Sequence, residues 1–392
     1  MRIAIFTDTY PPTINGVART LGRLVEHVAA RGHDVFLAGP RVGAAVETRA
    51  TYHHRAPGVP LPVYPELQIL RFLDRAGKRA LEAFAPDLVH VATEAPLGWS
   101  GRQWALRAGV PLVTSFHTNM PEYLAGYGFG RLEGALWRGF RAFHRPARLT
   151  FCPSSATLTE LRTRGFHDRL RIWPRGVDAD RFSPVRRSEA LREQLAPGAE
   201  HVMVYVGRLA PEKRLDVLLD AWPLVRAALG ERVALVLVGD GPLAPTLRAT
   251  APAGVSFTGY RTGIELAEAY AIGDVFVFPS DTETFGNVVA EALASGLPVV
   301  APARGGVTDL VQPDVTGVLV PPRDAAAFAT ACIDLLRDPL RRLRLAHGAR
   351  RLALGLDWAV ILDGLLGHYE EACDPERPAP SSTEIHPLLG VL

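Results

Sequence analysis

Two tandem α/β domains of the Rossmann type, each a parallel sheet covered by helices, are what this 392-residue sequence predicts. Three observations point there. Short apolar runs alternate with amphipathic helical stretches, the pattern of a parallel sheet buried on both faces. The alternation restarts near residue 202, after a charged and turn-rich stretch. The length suits two domains of ordinary size. Ligands of such sheets bind beyond the carboxyl ends of the strands, and two such domains in tandem are expected to face each other across a cleft.

The first strand is residues 3–6, followed by a Pro/Asn/Gly-rich loop to Gly16. A helix then places Val17, Leu21, Leu24, Val25 and Val28 on one face and ends at Arg31-Gly32. Residues 35–38, 88–91, 112–115 and 149–152 repeat the strand signal, with helices near 97–108, 131–144 and 155–164. The first domain is expected to span 1–174. After turn-rich 179–200, strands at 202–206, 234–238, 255–257, 275–278 and 299–300 build a second domain over 175–356. A helix at about 357–373 is expected to return to the first domain, and 374–392 reads as a disordered tail.

Net charge is +2, which argues against a nucleic-acid partner. Lys78 and Lys213 are the only lysines, so arginine supplies the positive charge, as a GC-rich genome would dictate. Cys152, Cys332 and Cys373 have no metal-ligand spacing and fit a reducing cytoplasm. Met1-Arg2 runs directly into the first strand, so no signal peptide is expected. No apolar run reaches the roughly 18 residues of a spanning segment. A cytoplasmic location follows as the expectation.

The densest chemistry lies at 279–291 (Pro-Ser-Asp-Thr-Glu-Thr-Phe-Gly-Asn-Val-Val-Ala-Glu), between a strand and a helix expected over 285–294. A helix start at a strand's carboxyl end presents free N–H groups and a positive dipole to phosphate. The amides of Phe285, Gly286 and Asn287 sit there, with Glu283 before the helix and Glu291 on it. Eight helical residues span roughly 12 Å, too far for the carboxyl pair of a glycosidase at about 5–9.5 Å. Such spacing suits the two ends of an extended ligand.

Gly207-Arg208-Leu209-Ala210-Pro211-Glu212-Lys213 follows the second domain's first strand. Arg208 and Lys213 flank a tight turn, which either converges on a diphosphate or is a solvated basic turn. Asn15-Gly16 is either turn chemistry or a close approach of bare backbone to a ligand. His117 ends a first-domain strand, a position where histidine is either structural or functional. Residues 130–148 set Arg131, Arg138, Arg141 and Arg145 among Trp137, Phe140 and Phe143. That stretch fits a membrane-surface helix as well as an ordinary amphipathic one. Asp178-Ala179-Asp180 formally spells a D-x-D metal motif but has no neighbouring ligand cluster.

Together these residues resemble glycosyltransferase family 4, retaining enzymes of the GT-B fold, over about residues 1–372. Glu283 and Glu291 match its E-x7-E motif, and Gly207 to Lys213 its G-R-L-x-x-E-K segment. Residues 15–16, 116–118 and 238–242 also fit the family, and residues 10–17 and 116–123 are similar to its branch of GDP-mannose-dependent mannosyltransferases and sulfoquinovosyl-diacylglycerol synthases. The resemblance implies an acceptor domain first and a nucleotide-sugar donor domain second. It places Glu283 on the donor sugar, Glu291 on the ribose, and Arg208 and Lys213 on the diphosphate. Gly16 and the Gly286-Asn287 amides would lie beside that diphosphate, and His117 near the reacting sugar.

No metal or other cofactor is implied. The expected reaction is transfer of a hexose, mannose or glucose, from a GDP- or UDP-sugar to a membrane lipid at the cytoplasmic face, by a peripheral enzyme. A soluble sugar acceptor, a nucleotide-sugar epimerase, a phosphorylase and a non-catalytic binding module are the alternatives. The sequence does not address oligomeric state.

Overall fold

The computed structural model describes residues 1–41, 48–61, 64–124, 131 and 133–374. The chain divides into two compact units: Met1–Pro174 together with residues 359–374, and Arg175–Trp358.

The first unit holds a parallel sheet of β1 (Arg2–Phe6), β2 (Asp34–Pro40), β3 (Tyr52–Ala56), β6 (Leu88–Val91), β7 (Leu112–Ser115), β8 (Leu149–Cys152) and β9 (Leu170–Ile172). Their order is β3-β2-β1-β6-β7-β8-β9. Ile3, Ala4, Ile5 and Phe6 of the central β1 are fully buried, which explains why an uninterrupted apolar run codes for this strand. Between β3 and β6 lies an antiparallel hairpin of β4 (Gly58–Leu61) and β5 (Tyr64–Leu70). A helix, Arg75–Phe84, follows it, N-capped by Asp74, whose side chain accepts from the Gly77 N–H. Neither the hairpin nor this helix is among the sequence expectations.

The C-terminal helix Trp358–Cys373 buries Ile361, Leu362, Leu365, Leu366 and Tyr369. Polar contacts within the first unit fix it, among them Asp363 with His27 and Arg31. Tyr369 meets His90 at 2.6 Å, Arg171 pairs with Glu371 at 2.7 Å, and Arg148 donates to the Ala372 carbonyl at 2.8 Å.

The second unit has six parallel strands, β10 (His201–Val206), β11 (Val233–Val238), β12 (Val255–Gly259), β13 (Val275–Val277), β14 (Val299–Pro302) and β15 (Gly317–Val320). Their order is β12-β11-β10-β13-β14-β15. The core joins these strands to the helices Leu215–Leu229, Asn287–Ala294 and Ala325–Arg337 around Trp222, Phe276, Phe278 and Leu335.

Two expectations are corrected here. The stretch 179–200 is not all turn: it contains the helix Glu189–Leu195, capped by Ser188. The helix expected from residue 285 begins at Asn287 instead, because Gly286 has φ 99° and ψ 60°. That left-handed conformation interrupts a right-handed helix and is open to glycine at little cost. Apart from Asp374, the tail expected at 374–392 lies outside the described residues.

Candidate active site

In the second unit the polar residues singled out by the sequence leave the carboxyl ends of neighbouring strands. After β10, half-buried Arg208 precedes the 3-10 turn Pro211–Lys213, which half-buried Lys213 ends. The segment after β11 clamps this turn. The Leu209 N–H donates to the Asp240 carbonyl and the Leu243 N–H to the Leu209 carbonyl, both at 2.9 Å. From below, the Tyr205 hydroxyl donates to the Arg208 carbonyl at 3.0 Å. Complete burial pushes the Tyr205 phenol well above its ordinary range, so it donates as a neutral hydroxyl.

After β13, the loop 279–286 meets that turn. Lys213 Nζ contacts Glu283 Oε1, and Ser280 Oγ donates to the same oxygen at 3.1 Å. The Thr282 hydroxyl donates to the Glu212 carbonyl at 3.4 Å. Two groups 70 residues apart in sequence thereby share one point. With both side chains about 15% exposed, the pair is shielded but still open to a ligand.

The loop's shape is set by its neighbours. Gly306 N–H donates to the Glu283 carbonyl at 2.7 Å, and a Cβ on Gly306 would lie 2.2 Å from the Thr284 carbonyl oxygen. Only a bare backbone fits there. Asp281, 2% exposed, accepts from Arg323 Nε at 2.8 Å and pairs with Arg304 at 3.7 Å. The loops after β13, β14 and β15 are thus tied together.

Phe285 is buried in the hydrophobic core, which leaves its backbone as the part available to a ligand. Gly286 precedes the helix Asn287–Ala294, which has no side-chain cap among the described residues. Its first N–H groups are free to meet an anion. Since Glu283 lies on the loop and Glu291 on the helix, the roughly 12 Å helical span is not the geometry that separates them. Glu291 is 5% exposed and accepts from the Tyr270 hydroxyl at 2.9 Å.

In the first unit, Asn15-Gly16 is a helix start rather than a turn. The Asn15 side chain accepts from the Ala18 N–H at 2.7 Å and donates to Thr9 Oγ1 at 2.8 Å. It therefore caps the helix Gly16–Ala30 at the carboxyl end of β1. Asp8, on the same loop, accepts from the Leu70 N–H at 3.0 Å and the Thr93 hydroxyl at 2.6 Å. Burial pushes its carboxyl up to about 6, against the lowering effect of those two bonds. His117 follows β7, is 6% exposed, and sets its ring edge-on to Trp173 at 5.5 Å.

The arginine-rich helix is Glu133–His144. Its Trp137 is 6% exposed, stacks on Phe116 at 5.9 Å and lies under the Arg164 guanidinium at 4.6 Å. Phe143 is 1% exposed. The expectation that Trp137 contacts a membrane is therefore corrected, because its indole already belongs to the unit's core. Arg131, Arg138, Arg141 and Arg145 are exposed, and Arg141 donates to the Arg164 carbonyl at 3.1 Å.

Among the described residues no cluster of three or more His, Cys, Asp or Glu could hold a metal ion. Asp178 of the D-x-D sequence serves its own turn, accepting from the Arg181 N–H at 3.1 Å and pairing with Arg181. Among the described residues no helix is long and apolar enough to cross a membrane.

A family model described as Glycosyltransferase Family 4 matches residues 14–181, and one described as Glycosyl transferases group 1 matches residues 200–338. A GDP-mannose-dependent alpha-mannosyltransferase of Mycobacterium tuberculosis is 40% identical over 380 residues, 94% of this chain and 96% of that protein. The chain belongs to glycosyltransferase family 4. It is similar to another member, a sulfoquinovosyl transferase of Arabidopsis thaliana, at 33% identity over 91% of this chain and 71% of that protein. Among solved structures, a sucrose-phosphate synthase from Thermosynechococcus elongatus superposes with a TM-score of 0.76 at 24% identity, covering 95% and 98% of the two chains. Anabaena HepE in complex with UDP-glucose superposes with a TM-score of 0.72 at 23% identity, covering 95% and 100%. These likenesses establish the GT-B fold, and the family makes the chain a glycosyltransferase.

Several site residues escape the sequence reading. Tyr270, Asp281 and the Tyr205 hydroxyl act through partners distant in sequence and carry no local signal. Gly305-Gly306 could have been found, since paired glycines a few residues past a strand mark a close backbone approach.

Proposed function

We propose that this glycosyltransferase moves mannose from GDP-mannose to a membrane lipid with retention of configuration and without a metal ion. The observation that carries the reading is the Lys213–Glu283 contact, which brings the G-R-L-x-x-E-K turn and the E-x7-E loop to one point. The donor assignment draws on the GDP-mannose-dependent relatives of Mycobacterium tuberculosis and Corynebacterium glutamicum. The lipid assignment draws on an alpha-monoglucosyldiacylglycerol synthase of Streptococcus pneumoniae, 28% identical over 334 residues.

In this reading Arg208, Lys213 and the N–H groups around Phe285, Gly286 and Asn287 receive the diphosphate. As the bond from the sugar's anomeric carbon to the diphosphate oxygen breaks, negative charge grows on that oxygen. Preplaced cations and dipoles stabilise it without reorganising, typically the largest single contribution to catalysis. Lys213 then leaves Glu283, whose carboxylate is free to bind sugar hydroxyls, while Glu291 binds the ribose. Gly16 offers bare backbone to the diphosphate, and His117 is assigned to the transfer step. No motif supplies a nucleophile, so the acceptor hydroxyl attacks on the face the leaving group vacates, through an oxocarbenium-like state, and passes its proton to the departing diphosphate oxygen.

The test incubates the protein with GDP-mannose or UDP-glucose, bacterial polar lipids and EDTA, and determines the product anomer by NMR. An α-mannolipid formed from GDP-mannose is expected. Glu283→Gln should lower kcat, and Glu291→Gln should weaken GDP binding in calorimetry. Transfer to soluble sugars alone, epimerised donor, or a product that requires added metal overturns the reading.

A further inference from the structure

The loop after β6, residues 92–95, leaves the carboxyl end of the first sheet between the loops that follow β1 and β7. Those neighbours carry Asp8 and Asn15 on one side and His117 on the other. The loop is held along its length. The Ala92 N–H donates to the Phe6 carbonyl at 2.8 Å, and the Thr93 hydroxyl donates to Asp8 at 2.6 Å. The next helix, Pro96–Ala108, presses so close that a Cβ on Gly98 would lie 1.9 Å from the Thr93 carbonyl oxygen. Glu94 therefore stands on a fixed stretch of backbone.

Behind Glu94 runs a chain of hydrogen bonds whose direction is fixed at its far end. The Arg169 N–H donates to His167 Nδ1 at 3.1 Å, so that nitrogen is an acceptor. His167 Nε2 then carries the hydrogen and gives it to the Thr150 hydroxyl at 3.0 Å and the His144 carbonyl at 3.1 Å. Burial, with Arg169 beside it, pushes the His167 imidazole down to about 4, which keeps it neutral. Thr150 gives its own hydrogen to Thr114 at 2.8 Å, and Thr114 gives its hydrogen to His144 Nδ1 at 2.9 Å. His144 Nε2–H is left to donate to Glu94 Oε1 at 3.2 Å. Thr114, Thr150 and His144 are fully buried, and reversing the chain would strand a hydroxyl hydrogen among them.

The chain ends on a side chain that is 16% exposed. Among the described residues Glu94 Oε2 has no protein partner. A carboxylate can only accept, and one drawn this far from water gains from each hydrogen bond it is given. Its complement is therefore a hydroxyl, which an acceptor supplies, and not a phosphate. In the transfer proposed above, the attacking hydroxyl hands its proton to the departing diphosphate oxygen. Glu94 cannot hold that same proton, so it needs a second hydroxyl on the acceptor.

We infer that Glu94 binds a non-reacting hydroxyl of the acceptor, and that the acceptor is accordingly a polyol head such as a glycosylated lipid, not a lipid with a single hydroxyl such as diacylglycerol. His144 is the positioning residue, oriented through Thr114, Thr150 and His167. This choice of ligand rests on the acceptor transfer proposed above.

The test follows transfer from GDP-mannose to monoglucosyl-diacylglycerol, diacylglycerol and octyl glucoside, and observes the histidine nitrogens of the full chain by NMR. The parent should use the glucosyl lipid about tenfold better than diacylglycerol, or more. Glu94→Gln should lower kcat/KM for the glucosyl acceptors about 10- to 100-fold, with KM for GDP-mannose unchanged. Where Gln lowers the unfolding temperature, Glu94→Asp, which keeps the charge and loses reach, should give the same loss. Thr150→Val, which cuts the chain two links away, should lower kcat/KM by a smaller factor and shift the His144 signals toward a mixture of tautomers. A parent that prefers diacylglycerol overturns the inference, as does parental kcat/KM for every acceptor in Glu94→Gln. An equal rise in the KM for GDP-mannose does the same, because Glu94 would then serve the donor or the fold. If octyl glucoside alone is used and Glu94→Gln loses it, the Glu94 site stands and the lipid reading falls. If nothing accepts mannose, octyl glucoside should still move the His144 signals of the parent and not those of Glu94→Gln. Signals that it leaves unmoved in the parent overturn the inference.

Discussion

Both sheets place their third, second and first strands in that order and then grow outward from the first, through β6 to β9 in one unit and β13 to β15 in the other. The side chains inside them differ. In the first unit the strands bury His90, Thr114, Ser115 and Thr150. His90 spans Ser115 and Tyr369 at 2.6 Å each, and Thr114 joins Thr150 at 2.8 Å and His144 at 2.9 Å. In the second unit β11, β13 and β14 bury hydrocarbon, and the buried polar residues Ser280, Asp281 and Glu291 lie outside the strands. One topology therefore supports two arrangements. A polar network threaded through a sheet ties distant segments such as the C-terminal helix to it, and must be fully satisfied. A hydrocarbon sheet is a platform whose loops can carry charge without the fold depending on them.

The largest test of that contrast is Trp137→Ala. Losing an indole packed on Phe116 and Phe166 should cost about 3–5 kcal/mol of stability in urea unfolding. A variant as stable as the parent would mean that this helix does not belong to the first unit's core.

Lys213→Ala probes the opposite arrangement. Losing one cation at a developing diphosphate should remove about 2–4 kcal/mol of transition-state stabilisation, read in kcat/KM. The unfolding midpoint should stay put, since the loop rides on a hydrocarbon platform. If stability fell as far as activity, the Lys213–Glu283 pair would be structural and the contrast between the units would break.

Asp8 gives the first unit a pH dependence that the second is not expected to share. Its carboxyl rises from an ordinary 3.8 to about 6. A raised carboxyl favours the protonated folded state, so its contribution is fully present below pH 3.8 and is lost as pH rises through about 6. The whole span corresponds to about 3 kcal/mol. Unfolding free energies of the parent and Asp8→Asn, measured from pH 4 to pH 7, should diverge over that window. Parallel curves would remove Asp8 from the network.

The smallest effects come from one substitution made in both units. Tyr369→Phe takes a partner from buried His90, and Tyr270→Phe takes a donor from buried Glu291. Each should cost about 1–2 kcal/mol. The first loss is expected in stability alone, by thermal unfolding. The second should also weaken GDP binding, by calorimetry. Loss of GDP affinity in Tyr369→Phe would mean that the first unit's network reaches the donor chemistry.

Residues that act through near neighbours were legible in the chain itself. The central strands read as apolar runs because parallel strands are buried on both faces, as β1 and β11 are. The turn at 207–213 and the loop at 279–291 announce themselves because each is a local segment between a strand and a helix. Ambiguity began where a pattern has two physical solutions. Arginines mixed with aromatics satisfy a bilayer or a domain core equally well, and only the packing of Trp137 against Phe116 and Phe166 chose the core. The hairpin was hidden because Pro60, Pro62 and Pro65 argue against strands, although a two-stranded ribbon with free edges tolerates proline. Asn15-Gly16 was open between a turn and a close approach of bare backbone to a ligand, and only the Thr9 and Ala18 contacts made Asn15 a cap. The pairs His90–Tyr369 and Lys213–Glu283 join residues 279 and 70 positions apart. A one-dimensional pattern encodes which face of an element is apolar. It does not encode which distant side chain will lie opposite a polar group once the sheets close, and that was left to tertiary packing.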